Sequence, residues 1–412
     1  MPKKIDLRTT PRIAHYFRNV DLTGKSCPEF VPEGFPLNCQ NDDDQWSAGF
    51  LLRVAVRFRH LWATFGIREG KRAIHGSQPA VCFTNFNLAD LIAVRDRLRP
   101  NNEAATQYAL TFPKEIAEKG GIRPFAPWPN GQTNLQDKTA LQLEGREDVQ
   151  NHFRYVGAED NLSDQLNWSS EWRWHYPGNY DRCIDKIETD GVEGNTIPGL
   201  KLSQKKWSGI GVVVPNLAAA RKLQYDILSL IDRGVVSETH FDHILVCDML
   251  PANIGDLGEK DMRIAFSEAC FDFKSCMAIS TLEAHVSWLD FSSRLLTFES
   301  STPKKTVVEK GGCWLWFEDN THRYVRALIK TGRVKVNDQG RYLASLDELD
   351  PHRDLRERQD IAVELSKQLQ ERFGIRSSYF AVLHSQCPND VPSYCGRLWG
   401  GGYYIRAAPE DE

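Results

Sequence analysis

Residues 166–176, Leu-Asn-Trp-Ser-Ser-Glu-Trp-Arg-Trp-His-Tyr, carry the pattern that most limits what this chain can fold into. Side chains of a strand point alternately to opposite faces. Trp168, Ser170, Trp172 and Trp174 then share one side of an extended ribbon, with Ser169, Glu171, Arg173 and His175 on the other. Three indoles make a stiff apolar face that needs a core to cover it. The opposite face offers one carboxylate among a hydroxyl, a guanidinium and an imidazole, which suits an electrostatic or general-base role. The plainer alternative is a surface strand in which Glu171 and Arg173 form a same-face ion pair.

At 412 residues the chain has room for two domains, each burying its own core. A formal net charge of −4, from 51 basic and 55 acidic residues, excludes a globally basic nucleic-acid binder but not a local basic groove. The 10 cysteines are scattered and lack the close spacing of a zinc knuckle. Several lie in apolar runs such as Val81-Cys82-Phe83, where a reduced thiol packs as a small hydrophobe. No apolar run is long enough to span a bilayer, and the opening Met-Pro-Lys-Lys-Ile-Asp does not read as a signal peptide. The expected location is the cytoplasm, with no membrane partner.

Along the chain, residues 12–20 read as a first strand carrying His15, Tyr16 and Arg18. The acids Asp42, Asp43 and Asp44 suit the start of a helix running to about Phe65. Arg53, Arg57 and His60 share its polar face, and with Arg68, Lys71 and Arg72 they offer a basic wall for phosphate or RNA; the alternative is a solvated helix face. Residues 79–84 form a short apolar strand, followed by a helix over 88–98. A strand at 108–113 leads into a short helix with a glycine exit, and 130–150 and 152–156 carry further partial elements. Residues 178–206 read as a long loop. Then Gly209–Val214, Pro215–Asp232 and His243–Cys247 give strand, helix and strand, an order that commonly makes a parallel pair. Gly209 and Gly211 precede their strand, so a dinucleotide fingerprint does not fit.

A change of character near residue 255 divides the chain into residues 1–255 and 256–412. The second part reads as a smaller α+β domain. It has a helix over 280–298, an aromatic strand at 313–317 and a basic helix over 321–330. A hairpin turning at Asn337–Gly340, a charged helix over 354–373 and a strand at 379–383 follow. Its Arg323, Arg326, Lys330, Arg333, Lys335 and Arg341 make a basic helix-and-hairpin surface able to meet phosphates, or else a solvated face.

Three blocks in the first 250 residues resemble ADP-ribosyltransferase-like proteins of the bacterial abortive-infection type. They are Ala14-His15-Tyr16-Phe17, then Val81-Cys82-Phe83-Thr84 with Tyr108-Ala-Leu-Thr-Phe-Pro-Lys-Glu, then Ser170-Glu171-Trp172-Arg173; Ile210-Gly-Val-Val-Val-Pro resembles the strand that closes the sheet. The resemblance implies an α+β fold with a split mixed sheet and flanking helices, and NAD as substrate. It implies that Glu171 stabilises the cationic sugar and that His15 holds a ribose. Phe83 or Thr84 would contact the nicotinamide end, with Tyr16 and Tyr108 for stacking. The acceptor implied is a nucleic acid, RNA favoured over DNA, or a protein, with Arg53, Arg57, Arg173, Arg326 and Lys330 as acceptor contacts. The setting implied is a toxin in phage defence, with an antitoxin or chaperone as companion. Ser169, two residues before Glu171, stands where acidic or amide residues serve arginine modification. The resemblance does not reach residues 256–412.

Two other readings stand beside it. One is an interaction or antitoxin-like protein that keeps the fold without the chemistry. The other is a metal-dependent nuclease built on His240, His243 and Cys247 or on Asp42, Asp43 and Asp44, for which the spacing is poor; no metal is expected.

Overall fold

A computed structural model describes residues 11–31, 38–41, 43–68, 70–74, 78–124, 171–190, 197–203, 205–252, 259–398 and 401–408. The elements expected at 130–150 and 152–156, together with Asp42, Trp168, Ser169 and Ser170, lie outside these residues. The protein is a mixed α+β structure with a large mixed sheet and, among the described residues, nine α-helices. None of the described helices is long and apolar enough to cross a membrane.

The chain forms two compact units that interleave in sequence. Unit 1 takes residues 1–220, 238–271 and 405–412; unit 2 takes 221–237 and 272–404.

Unit 1 is built on strands β1 (Arg12–Tyr16), β2 (Ala80–Asn85), β3 (Ala109–Pro113), β4 (Arg123–Pro124), β5 (Glu171–His175), β6 (Ile210–Val214), β7 (Phe241–Val246) and β8 (Cys270–Phe271). They form one eight-stranded sheet in the order β4-β5-β2-β1-β3-β6-β7-β8. Only β6 and β7 run parallel, joined by a helix as the strand-helix-strand pattern requires; every other neighbouring pair is antiparallel.

Six helices begin in this part of the chain: α1 (Ala48–Phe58), α2 (Leu88–Arg95), α3 (Lys114–Lys119), α4 (Tyr180–Asp190), α5 (Leu217–Asp232) and α6 (Glu259–Ala269). Helix α1 starts where the Ser47 hydroxyl accepts the Phe50 N–H at 3.1 Å. It stops earlier than the sequence pattern predicts, because Arg59 takes φ 52° and the chain turns into a strand at His60–Trp62. Helix α4 replaces the expected loop; Asn179 caps it by accepting the Arg182 N–H at 2.9 Å. Helices α2 and α6 cover one face of the sheet, burying Leu91, Ile92, Phe266 and Ala269 against Ala14, Ala109, Val213 and Leu245.

Unit 2 carries a five-stranded antiparallel sheet of β9 (Gly311–Phe317), β10 (Val334–Val336), β11 (Tyr342–Ser345), β12 (Ser377–Leu383) and β13 (Tyr394–Cys395), ordered β10-β11-β9-β12-β13. Helices α7 (Thr281–Ser301), α8 (Arg323–Lys330) and α9 (Leu355–Phe373) bury one core with it, around Leu315, Phe317, Phe291, Leu328 and Leu365. Helix α9 has Asp354 as its N-cap and ends at Gly374, whose φ of 72° favours glycine. The hairpin turns where expected, with the Gly340 N–H donating to Asn337 O at 2.9 Å.

Candidate functional site

Strands β1, β2 and β5 come from stretches far apart in sequence yet lie side by side. Glu171 pairs with Thr84, and Thr84 with Ala14, so these three stand in one row across three strands. Directly paired residues point to the same face, so Glu171, Arg173, Thr84 and Tyr16 share one side of the sheet. His15, Phe83 and Trp172 share the other.

On the first side, the Glu171 carboxylate accepts a hydrogen bond from Arg173 Nε at 2.8 Å. The Arg173 side chain is only 4% exposed, whereas Glu171 keeps 21% of its side chain in solvent. Thr84 Oγ1 accepts from Asn102 Nδ2 at 2.7 Å. Asn102 is itself held by Asp90, a buried carboxylate in the first turn of α2 that accepts the Asn101 and Asn102 N–H groups at 2.8 and 3.2 Å. The Tyr16 hydroxyl is buried and meets no hydrogen-bond partner among the described residues. Burial, with Asp90 nearby, holds the Tyr16 phenol well above its ordinary range. Asn102 and Asp90 escape a sequence reading because an Asn-Asn pair after Pro100 looks like any turn.

On the reverse side, His15 Nδ1 lies 2.8 Å from Cys82 O, a contact a neutral imidazole makes by donating its Nδ1 proton. Burial lowers the His15 pKa, while the bond to Cys82 O opposes the shift. Its ring meets Phe17 and Phe83 edge-on at 4.9 and 5.7 Å, and Phe83 continues to Phe112 and Trp207 in a chain of edge contacts. Tyr108 precedes β3, and its ring packs at Gly49 of α1, where an added Cβ would lie 3.3 Å away. Trp172 Nε1 donates to Asn85 Oδ1 at 3.1 Å. The expected site residues therefore separate into two groups, Glu171, Arg173, Thr84 and Tyr16 in front and His15, Phe83 and Tyr108 behind.

Much of the basic surface expected from the sequence is interior, although Lys71 and Arg72 are exposed and Arg72 is paired with Glu29. Arg53 and Arg57 of α1 are buried, at 5% and 8% exposure. Arg326 and Asp232 form an ion pair of side chains 5% and 4% exposed, with both guanidinium nitrogens on the carboxylate at 2.6 and 2.9 Å. Tyr342 donates to the same Asp232 at 2.8 Å. Lys330 Nζ donates to Ile279 O. Arg333 binds Glu348 and Ser292, and Arg341 lies among the rings of Trp316, Phe380 and Tyr403. Lys330, Lys335 and Arg323 of that surface are exposed, but the Lys330 ammonium is tied to a carbonyl and Arg323 is paired with Glu283. A positive run in sequence became internal struts because its acidic partners sit elsewhere in the chain.

His240 and His243 do not converge on an ion: His240 Nδ1 faces Trp207 O at 3.0 Å and His243 Nδ1 faces Asp242 at 3.4 Å. Among the described residues, no group of three or more His, Cys, Asp or Glu is placed to hold a metal.

No curated protein and no solved structure matches this chain. A family model described as "Protein of unknown function (DUF4427)" matches residues 285–402, a stretch that lies within unit 2 and begins inside α7.

Proposed function

We propose that unit 1 is an ADP-ribosyltransferase-like domain that breaks the nicotinamide–ribose bond of NAD and passes ADP-ribose to a nucleic acid, RNA favoured, or to a protein, as an effector of anti-phage abortive infection. With the activity goes the fold of that class, a split mixed sheet, proposed here for the strands of unit 1. The observation that carries the reading is the meeting of the three resembling blocks on adjacent strands, with Glu171 in register with Thr84.

Leaving of nicotinamide builds positive charge on the ribose, like the oxocarbenium state of glycoside cleavage. A carboxylate already oriented stabilises that charge without reorganising. Arg173 fixes one Glu171 oxygen, and in this reading the other meets the ribose hydroxyls. Thr84 receives the Asn102 amide, so its own hydroxyl proton is available to the carboxamide end of NAD. His15, Phe83 and Tyr108 then brace β1 and β2 from behind rather than touching NAD. Arg53, Arg57, Arg326 and Lys330 have no acceptor role in this reading, since each is buried or committed within the protein.

The test is incubation of the protein with NAD labelled on the adenylate, followed by nicotinamide release and label transfer to RNA, DNA and protein. Release by the wild type and its loss in a folded Glu171→Gln variant support the reading. Equal release by the variant removes Glu171 from the mechanism. A folded wild type that releases no nicotinamide with any acceptor favours the non-catalytic interaction protein, in which Glu171 and the buried Arg173 are simply a structural ion pair.

A further inference from the structure

Helix α7 buries Ala284, Ser287, Phe291, Ser292 and Leu295, and its other side carries a second stripe. Leu282 is 73% exposed, Val286 55%, Leu289 47% and Leu296 56%. With the exposed Ser293 and Ser300 they recur at alternating steps of four and three residues, the spacing of a two-helix seam. The seam holds no Asp, Glu, Lys or Arg. The charges beside it are satisfied within the unit, Glu283 by Arg323 and Asp290 by Arg294 and Arg372.

We propose that this stripe is where two copies of the chain pair, α7 against α7, running antiparallel about a two-fold axis. Two observations select a second copy as the occupant. A copy brings the same charges it meets, so a self-contact requires a face whose charges are already compensated, as these are. The stripe is also complementary to itself. A two-fold midway between Leu289 and Ser293 sets Leu282 opposite Ser300, Val286 opposite Leu296 and Leu289 opposite Ser293. Leucines meet serines in four of the six layers, so large side chains face small ones over roughly 27 Å of helix. A parallel pairing stacks serine on serine and leucine on leucine, leaving gaps beside crowding.

Sedimentation equilibrium of the full chain, taken to high micromolar concentration, tests the proposal. The wild type is expected at twice the 47.0 kDa chain mass. Leu289→Glu, at an exposed position, is expected at the single-chain mass with an unchanged circular dichroism spectrum. Adding Ser293→Lys to Leu289→Glu restores the doubled mass, because the new carboxylate faces the new ammonium across the axis at both equivalent positions. A wild type that stays single, whether its stripe meets another protein or its own chain, overturns the proposal, as does a dimer unmoved by Leu289→Glu. A folded double variant that stays single overturns the antiparallel register.

Discussion

Glu171 and Thr84 stand directly opposite each other across β5 and β2, although 86 residues separate them in sequence (171 minus 84, less one). One row of the sheet thus joins a mostly buried carboxylate, itself oriented by Arg173, to a hydroxyl oriented by Asn102. Under the transferase reading, Glu171→Gln lowers nicotinamide release on the order of a hundred- to a thousand-fold, the usual effect of losing one preorganised charge-stabilising group. Thr84→Val raises KM for NAD more than it lowers kcat, and Thr84→Ser is close to wild type. Steady-state kinetics on folded variants decides; a Thr84→Val enzyme with unchanged KM removes Thr84 from the NAD site.

The Asp232–Arg326 pair is fully interior, so removing one member strands a buried charge. Arg326→Met alone is expected to destabilise unit 2 by about 3–5 kcal/mol, whereas Asp232→Leu together with Arg326→Met costs much less. Urea unfolding of the two variants checks this. A single variant as stable as wild type would falsify the assignment of Arg326 as a strut.

Gly211 lies in the middle of the unit 1 sheet, where a Cβ would come within 2.4 Å of the His243 ring and 2.5 Å of Thr111 Oγ1. The imidazole therefore occupies the space a side chain would need. Gly211→Ala is expected to cost about 1–3 kcal/mol by overpacking, read as a lowered thermal midpoint. A midpoint at or above that of the wild type would show that His243 swings aside at no cost.

Burial depresses the pKa of two histidines of unit 1, His60 and His240, from 6.5 to about 4. Both are neutral when folded, and both bind a proton below 6.5 once unfolded. Stability is therefore fully present above pH 6.5 and falls as the pH drops toward 4, by up to roughly 3 kcal/mol for each residue. Burial acts on His15 in the same direction. Chemical unfolding at pH 7 and pH 5 measures the slope, and equal stability at the two values contradicts it.

Much of the architecture is legible in sequence where local pattern and burial agree. The alternation of Trp172 and Trp174 with Glu171, Arg173 and His175 is that of β5. The run from Ile210 to Val246 gives the one parallel pair of the eight-stranded sheet, and Asp354 with Gly374 bounds α9. What is not legible depends on partners far along the chain. Arg53 and Arg57 look like a solvent face until the helix is seen covered on both sides. Arg326 looks like a phosphate contact until Asp232, 94 residues away, is brought to it. Helix α4 is polar over most of its length, and Tyr180, Cys183, Ile184 and Ile187 alone carry its helical spacing within 180–190, with Tyr180 packed on Phe65 and Ile187 buried. The candidate site has its own blind spot. Alternation tells which residues of a strand share a face, but one residue of register decides whether two strands present matching faces. Glu171 and His15 are each plausible alone, and their separation onto opposite faces appears only when Thr84 pairs with Ala14.

Residues 405–406 pair in parallel with Cys39–Gln40, and Ser47 N–H donates to Ala407 O at 2.8 Å. Ile405 and Ala407 also close the cluster of Trp46, Phe50, Val54 and Phe58 around α1. A ribosome making this chain must therefore translate all of unit 2 after residues 39–58 before that segment receives the strand it pairs with. Until then the early apolar cluster waits unfinished, open to chaperones or to neighbouring chains. Truncation before residue 405 would leave it in that state permanently, so losing the segment 405–407 should cost yield of intact protein far out of proportion to its length.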